Sequence, residues 1–271
     1  MGTWVVNKFG EIPVYQAVTI SWLPGIVQGF STRRGGVSQE PYDTFNVGLT
    51  CGDNPEHVFA NRMRLADAIG VDLGKLVFAE QVHGSEVAVV DEVQSVPVPG
   101  VDALITNRPG LILCMTYADC LPIYIVEPTK KVVALVHSGW RGTASNIVQR
   151  TTDALKERME IDPRNCQVAI GPSIGCDNYE VGTEVADFFR DTRGSGASTT
   201  VMPKNEMLGT WVLDLRAIAF LQLLHAGYRP QAIAVCDSDT YANDRDFFSH
   251  RRESQAGGKT GRMAGFLGIR E

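Results

Sequence analysis

The chain has 271 residues, of which 44% are hydrophobic and 21% charged, with a formal net charge of −6. That length buries a substantial core without disulfide or metal staples, and the composition excludes a disordered or low-complexity chain. The negative balance argues against an extended nucleic-acid surface but leaves room for a small anion pocket.

Along the chain, the first segment does not read as a targeting signal. Met1-Gly2 has Val6 where a myristoylation site needs Ser or Thr. Residues 12–32 carry no charge, yet Gln16, Ser21, Pro24-Gly25 and Gln28-Gly29 interrupt them too often for a membrane span. GFSTRRGGVS (29–38) follows. Its paired arginines and glycines suit either an anion-recognising loop or a polar hairpin turn. Residues 55–69 have the spacing of a helix.

Strand-like runs then dominate: 76–82, 86–92, 102–106, 111–118, 121–127, 132–137, 166–171, 210–215 and 232–237. Several are almost continuously apolar, as in strands buried on both faces. Further helices are expected over 144–159, with Thr143 as N-cap, and over 180–191 and 214–226. The strands cluster rather than alternating strictly with helices. This predicts an α+β fold with mixed β-sheets flanked by helices, in a single domain over 1–271. The loop-like stretch 192–209 is too short to divide it.

The six cysteines (51, 114, 120, 166, 176 and 236) form no C-x-x-C pair, so a disulfide framework is not expected and a cytoplasmic setting is. Cys51, Cys166, Cys176 and Cys236 read as core or loop residues, and Cys114 as packed inside. His57 and His225 read as ordinary helix residues.

Three residues each end an apolar run beside glycine or proline: His83 in EQVHGSE, Cys120 in YADCLP and His137 in LVHSGWRGT. A thiolate and two imidazoles suit Zn²⁺ with a fourth position open. Spacings of 37 and 17 residues form no local zinc motif, so buried strand-end residues remain an alternative. The same residues also suit nucleophilic catalysis, with Cys120 attacking, His83 or His137 as base, and Asp119 or Gln81 orienting. Asp119 beside Cys120 raises the thiol pKa, which a bound metal would offset. GWRGT (139–143) could present Arg141 and free amides to an anion, or simply cap a helix. FFSHRRE (247–253) and KTGR (259–262) add basic residues that suit a ligand or a solvated loop.

Taken together, STRRGGVS, NVGLTCGDNPEHVFANR, EQVHG, TYADCLPI, VHSGWRGT, AIGPSIGCDNYEVG and FFSHRRE…TGRMAG resemble, in order, the motifs of the bacterial YfiH-like family. Its members have been labelled polyphenol oxidases or multicopper laccases. The resemblance implies a fold similar to cysteine-dependent deamidating toxins, and a metal site, usually zinc, at His83, Cys120 and His137. It implies purine nucleoside phosphorylase activity on adenosine, inosine and methylthioadenosine, with adenosine deaminase activity besides. Catalytic candidates are then Cys120, His83, His137 and Asp119, with Glu80 as another proton carrier. Candidates for binding nucleoside and phosphate are Arg33, Asn46, Gln81, Arg141 and Arg251. His250 and the extra residues 254–258 depart from the expected pattern near the C-terminal loop. Copper is a possible occupant in a single-copper polyphenol oxidoreductase. A four-copper oxidase is excluded by five histidines with no His-x-His pair. Deamination would not use the H-x-E…P-C-x-x-C scaffold, which is missing. The expected partners are small molecules, neither nucleic acid nor membrane.

Overall fold

The computed structural model describes residues 3–190 and 200–271. In chain order the strands are β1 (Trp4–Phe9), β2 (Ile12–Ala17), β3 (Ile26–Ser31), β4 (Leu76–Phe78), β5 (Val87–Val89), β6 (Ala103–Thr106), β7 (Ile112–Tyr117), β8 (Leu121–Glu127), β9 (Val132–Ser138), β10 (Gln167–Ile170), β11 (Glu180–Gly182), β12 (Val201–Asn205), β13 (Thr210–Leu213), β14 (Ile233–Val235) and β15 (Met263–Ile269). The helices are α1 (Val18–Ser21), α2 (Pro55–Ile69), α3 (Trp140–Ala144), α4 (Ile147–Met159), α5 (Thr183–Arg190), α6 (Leu215–His225) and α7 (His250–Gln255).

Two six-stranded sheets stack face to face, ordered β1-β2-β3-β15-β7-β4 and β14-β10-β8-β9-β6-β5, with a small third sheet, β11-β13-β12. Most neighbours run antiparallel, but β4–β7, β5–β6 and β10–β14 are parallel, so the large sheets are mixed. The period-two alternation of strands explains why the apolar runs are nearly continuous. In β8, Tyr124 and Val126 enter the core between the sheets, while Ile123 and Ile125 face the helical layer. In β7, Leu113, Met115 and Tyr117 face the same inter-sheet core, while Ile112 and Cys114 lie under α2. The layers therefore run α2, sheet, sheet, then α4 and α6, an α+β arrangement with both sheets covered.

The helix starts follow capping chemistry. Asn54 accepts from Glu56 N with Pro55 in the first turn, and Gly70 closes α2 at φ 78°. Asp214 caps α6 and Ser249 caps α7. The expected helix over 144–159 divides in two. Thr143 is not its N-cap: it lies within α3 and donates its hydroxyl to Gly139 O at 2.9 Å. Asn146, at φ 54°, caps α4 and accepts from Gln149 N. The 180–191 expectation becomes strand β11 followed by α5; its last residue, like 192–199 of the expected loop, lies outside the described residues. Among the described residues no helix is long and apolar enough to cross a membrane.

Candidate metal centre

The turn between β7 and β8 carries the chain from one large sheet to the other, and Cys120 sits in it. Its partner strand β9 pairs Pro122 with His137, so His137 emerges beside that turn. His83 arrives from the segment after β4. Gln81 holds that segment against β7 by donating to Thr116 O at 2.9 Å and accepting from Thr116 N at 2.8 Å. The ligand atoms of His83, Cys120 and His137 all lie within 4.8 Å of one another. This is the one such group of three or more metal-ligating side chains among the described residues.

His137 is buried, Cys120 half-buried and His83 exposed, so the cluster is rooted in the fold and open on one side. The two imidazoles meet edge to face with centroids 4.9 Å apart. Gly139 keeps the ligands uncrowded, because a Cβ there would lie 3.0 Å from Cys120 Sγ and 3.1 Å from His83 Cδ2. Sulfur and imidazole donors with an open side fit zinc, and a soft thiolate with two imidazoles also accommodates copper.

Electrostatics bind the three together. Burial pushes the Cys120 thiol up, but His137 and His83 more than offset it and bring the thiol down to about 6. Burial lowers the basicity of His137, while Cys120 and Asp102 more than offset this and carry it up to about 9. Asp102, fully buried at the entry to β6, lies 2.7 Å from His137 Nδ1 through Oδ1. Its carboxylate also accepts from the backbone amides of Val82, His83 and Gly84 at 3.1, 3.1 and 2.7 Å. Burial pushes the Asp102 carboxyl up, but His137 and these amides leave it below its ordinary value.

The remaining candidates separate into two groups. Arg251 and Arg141 are carried on segments that adjoin the cluster: the Arg251 amide donates to Asp119, next to Cys120, and Arg141 follows Gly139 by two residues. Both act electrostatically on Tyr179, which also feels Cys120 and Asp119. The Arg251 guanidinium lies 5.1 Å over the Tyr179 ring and donates to Glu180 O at 2.6 Å. Arg141 is exposed and stacks on Trp140 at 4.2 Å. Asp119, at φ 86°, accepts from Thr240 Oγ1 at 2.7 Å, Ser249 Oγ at 3.0 Å and Arg251 N at 2.7 Å. Its carboxylate thus ties the 240–251 segment to the cysteine turn. Glu80 is exposed, with its amide bonded to Val98 O.

Arg33 and Asn46 are engaged within the chain instead. Arg33 donates to Asp43 O and Asp43 Oδ1 at 2.9 and 3.0 Å and to Asp244 O at 3.3 Å, and Arg34 pairs with Asp246 at 2.8 Å. Asn46, fully buried, donates to Gly48 O and Asp53 Oδ2 and accepts from Gly48 N and Arg262 N. Cys114 packs under α2, and His250 is exposed at the head of α7.

Sequence reasoning missed Asp102 and Tyr179. The one hint of Asp102 is a charged residue opening the otherwise apolar run DALIT.

A family profile described as "Multi-copper polyphenol oxidoreductase laccase" matches residues 27–270. The chain is 38% identical to the purine nucleoside phosphorylase YlmD of Geobacillus stearothermophilus, over 95% of this chain and 98% of that one. It is 39% identical to a purine nucleoside phosphorylase of Corynebacterium glutamicum, over 88% and 92%. The crystal structure of the Geobacillus YlmD superposes with a TM-score of 0.91 over the whole of both chains, at 35% identity. With the fold matched from end to end and sequence identity sustained across it, the chain belongs to the YfiH/YlmD family of purine-nucleoside-phosphorylase-like enzymes.

Proposed function

We propose that this enzyme is a zinc-dependent purine nucleoside phosphorylase. It would convert adenosine, inosine or methylthioadenosine and phosphate into free base and ribose 1-phosphate, with adenosine deaminase activity at the same centre. The observation that carries the reading is the convergence of His83, Cys120 and His137, with ligand atoms within 4.8 Å of one another, beside a glycine whose Cβ would crowd them. Bound zinc would supply Lewis acidity at the unfilled side of these donors.

Phosphorolysis places positive charge on the ribose and negative charge on the leaving base, so the site needs an anion beside the sugar and a donor at the base. On this reading Arg141 and Arg251, carried on segments that adjoin the cluster, hold phosphate. Tyr179, whose ring carries the Arg251 guanidinium, offers a hydroxyl that on this reading donates toward the substrate. Asp119 positions the Arg251 backbone, and Gln81 positions the segment carrying His83. The whole chain from 1 to 271 acts as one catalytic domain in this reading. Six unpaired cysteines support placing it in the cytoplasm.

A second reading draws on a different observation. Cys120, His137 and Asp102 form a thiol–imidazole–carboxylate sequence, with Asp102 2.7 Å from His137 Nδ1. That arrangement serves a metal-free cysteine hydrolase or deamidase, in keeping with the toxin-like fold the resemblance implies. A single-copper oxidoreductase would use the same three ligands.

Metal analysis of protein purified without added metal, combined with product analysis on inosine plus phosphate, separates the three. Stoichiometric zinc with ribose 1-phosphate and hypoxanthine supports the proposal. Zinc without nucleoside turnover removes the phosphorylase. Metal-free protein trapped as an acyl-enzyme at Cys120 removes both the zinc and the phosphorylase, and copper with phenol oxidation favours the oxidoreductase.

A further inference from the structure

Among the described residues Asp102 is the one carboxylate that touches both histidines of the cluster, and its two oxygens divide the work. Oδ1 faces His137 Nδ1 at 2.7 Å and the His83 amide at 3.1 Å. Oδ2 faces the amides of Val82 at 3.1 Å and Gly84 at 2.7 Å. The grip is also double on the His137 side, because the Asp102 carbonyl accepts from the His137 amide at 2.8 Å.

We propose that Asp102 is the positioning residue of the metal centre, a single buried carboxylate that sets one histidine ligand through its ring and the other through its backbone. The inference rests on the zinc reading above.

The chemistry follows from what an ionised carboxylate can do. It accepts hydrogen bonds and donates none, so the proton between it and His137 belongs to Nδ1. In the neutral ring that ligation requires, the Nε2 lone pair is then left toward Cys120. On the other side, three consecutive amides converge on the same group, forming an anion nest that the chain fills with its own side chain. His83 sits within that nest at φ 59°, a left-handed conformation that a residue with a Cβ holds only when its surroundings impose it. The positions of His83 and His137 are therefore not independent. A shift of either one disturbs the same pair of oxygens.

Asp102→Asn separates this role from simple filling of a buried site. The amide retains one acceptor oxygen and replaces the other with a donor. With the NH₂ group toward His137, the ring proton moves to Nε2 and blocks ligation. With the NH₂ group toward Val82 and Gly84, donor meets donor and the His83 segment loosens. Both orientations weaken metal binding.

The experiment is zinc affinity by chelator competition on the full-length wild type and D102N. It is accompanied by far-ultraviolet circular dichroism and by the visible absorption of the cobalt-loaded proteins. The expected result is an affinity loss of about 10–100-fold or more with an unchanged dichroism spectrum and an altered cobalt d–d band. Equal zinc affinity in the two proteins overturns the inference and leaves the zinc reading standing. A wild type that takes up no zinc removes both. Should D102N fail to fold, nitrogen NMR of the zinc-loaded wild type decides: metal on His137 Nε2 with the proton on Nδ1 supports the inference, and metal on Nδ1 overturns it.

Discussion

Gly139→Ala offers the sharpest test of whether the space between the three side chains exists to be filled. Gly139 has φ −77° and ψ 175°, a conformation open to any residue, so alanine introduces no backbone strain. What it introduces is a methyl carbon 3.0 Å from Cys120 Sγ and 3.1 Å from His83 Cδ2, where ordinary carbon contacts lie at about 3.5–4.0 Å. Neither neighbour is the loose end of a long side chain. Cys120 is held between β7 and β8, and the His83 backbone is held by Asp102. The ligands must then yield by several tenths of an ångström, whereas metal sites tolerate ligand distances only within about 0.2 Å. We expect zinc affinity to fall at least about tenfold, or about 1.4 kcal/mol. Removing glycine from the unfolded chain contributes about 0.4–1 kcal/mol in the opposite direction to the crowding, so the metal-free fold should be nearly unaffected. Chelator competition and thermal unfolding of the metal-free protein measure the two quantities separately. Unchanged zinc affinity in G139A would refute the placement of the metal, and loss of the fold would refute the steric reasoning.

Four further outcomes are expected. In metal-free protein, iodoacetamide should alkylate Cys120 with a rate that rises around pH 6, because the thiol is brought down to about 6 by the histidines that outweigh burial; a midpoint near 9 would show that the ion pair does not form. The depressed thiol contributes stability that is lost as pH falls through about 6, and the raised His137 contributes stability that is lost as pH rises through about 9. Urea unfolding of the metal-free protein should therefore show this pair's support greatest between those values. Asp119→Ala leaves Thr240 Oγ1, Ser249 Oγ and the Arg251 amide without their acceptor, and should cost about 2–4 kcal/mol in urea unfolding; a loss below about 1 kcal/mol would contradict its tying role. Arg33→Lys should destabilise by about 1–2 kcal/mol while leaving the KM for phosphate unchanged, since the guanidinium is spread over Asp43 and Asp244. A raised KM with unchanged stability would return Arg33 to the substrate.

The long apolar runs were legible because burial on both faces of a strand leaves little doubt about its environment. All nine expected strands are present, and helices occupy all four expected stretches. The first three strands were not legible. β1 carries Asn7 and Lys8, and the uncharged stretch of β2 and β3 is broken by Gln16 and Gln28, whose polarity is absorbed by bonds from Gln16 Nε2 to Gln28 O and from Ala17 N to Gln28 Oε1. Strand β15 hid behind its glycines, which are there because a Cβ at Gly265 would meet Tyr117 Cε2 at 2.6 Å and one at Gly268 would meet Leu111 O at 2.4 Å. The His-Cys-His set could be named from its strand ends, but its convergence could not, because the spacings of 37 and 17 residues are closed by the sheets. Asp102 acts on residues 18 to 35 positions away, so no local pattern marks it. The double arginine suits an anion loop or a polar turn from sequence alone, and the acids that pair with it, Asp43 and Asp246, lie outside the motif.

The place of β15 has a consequence for how the chain is made. It lies between β3 and β7, pairing with Phe30 on one side and Tyr117 on the other, although more than 140 residues separate it from either strand. A ribosome delivers β1–β3 and β7 long before the strand that joins them, so until residues 263–269 emerge the first sheet exists as two halves with open inner edges. The cysteine turn leads directly out of β7, so the His83, Cys120 and His137 cluster cannot be anchored on its final support until then. Chains stopped at residue 262 should accordingly be cut by protease at both inner edges, and protection equal to that of the full chain would show that the sheet closes some other way.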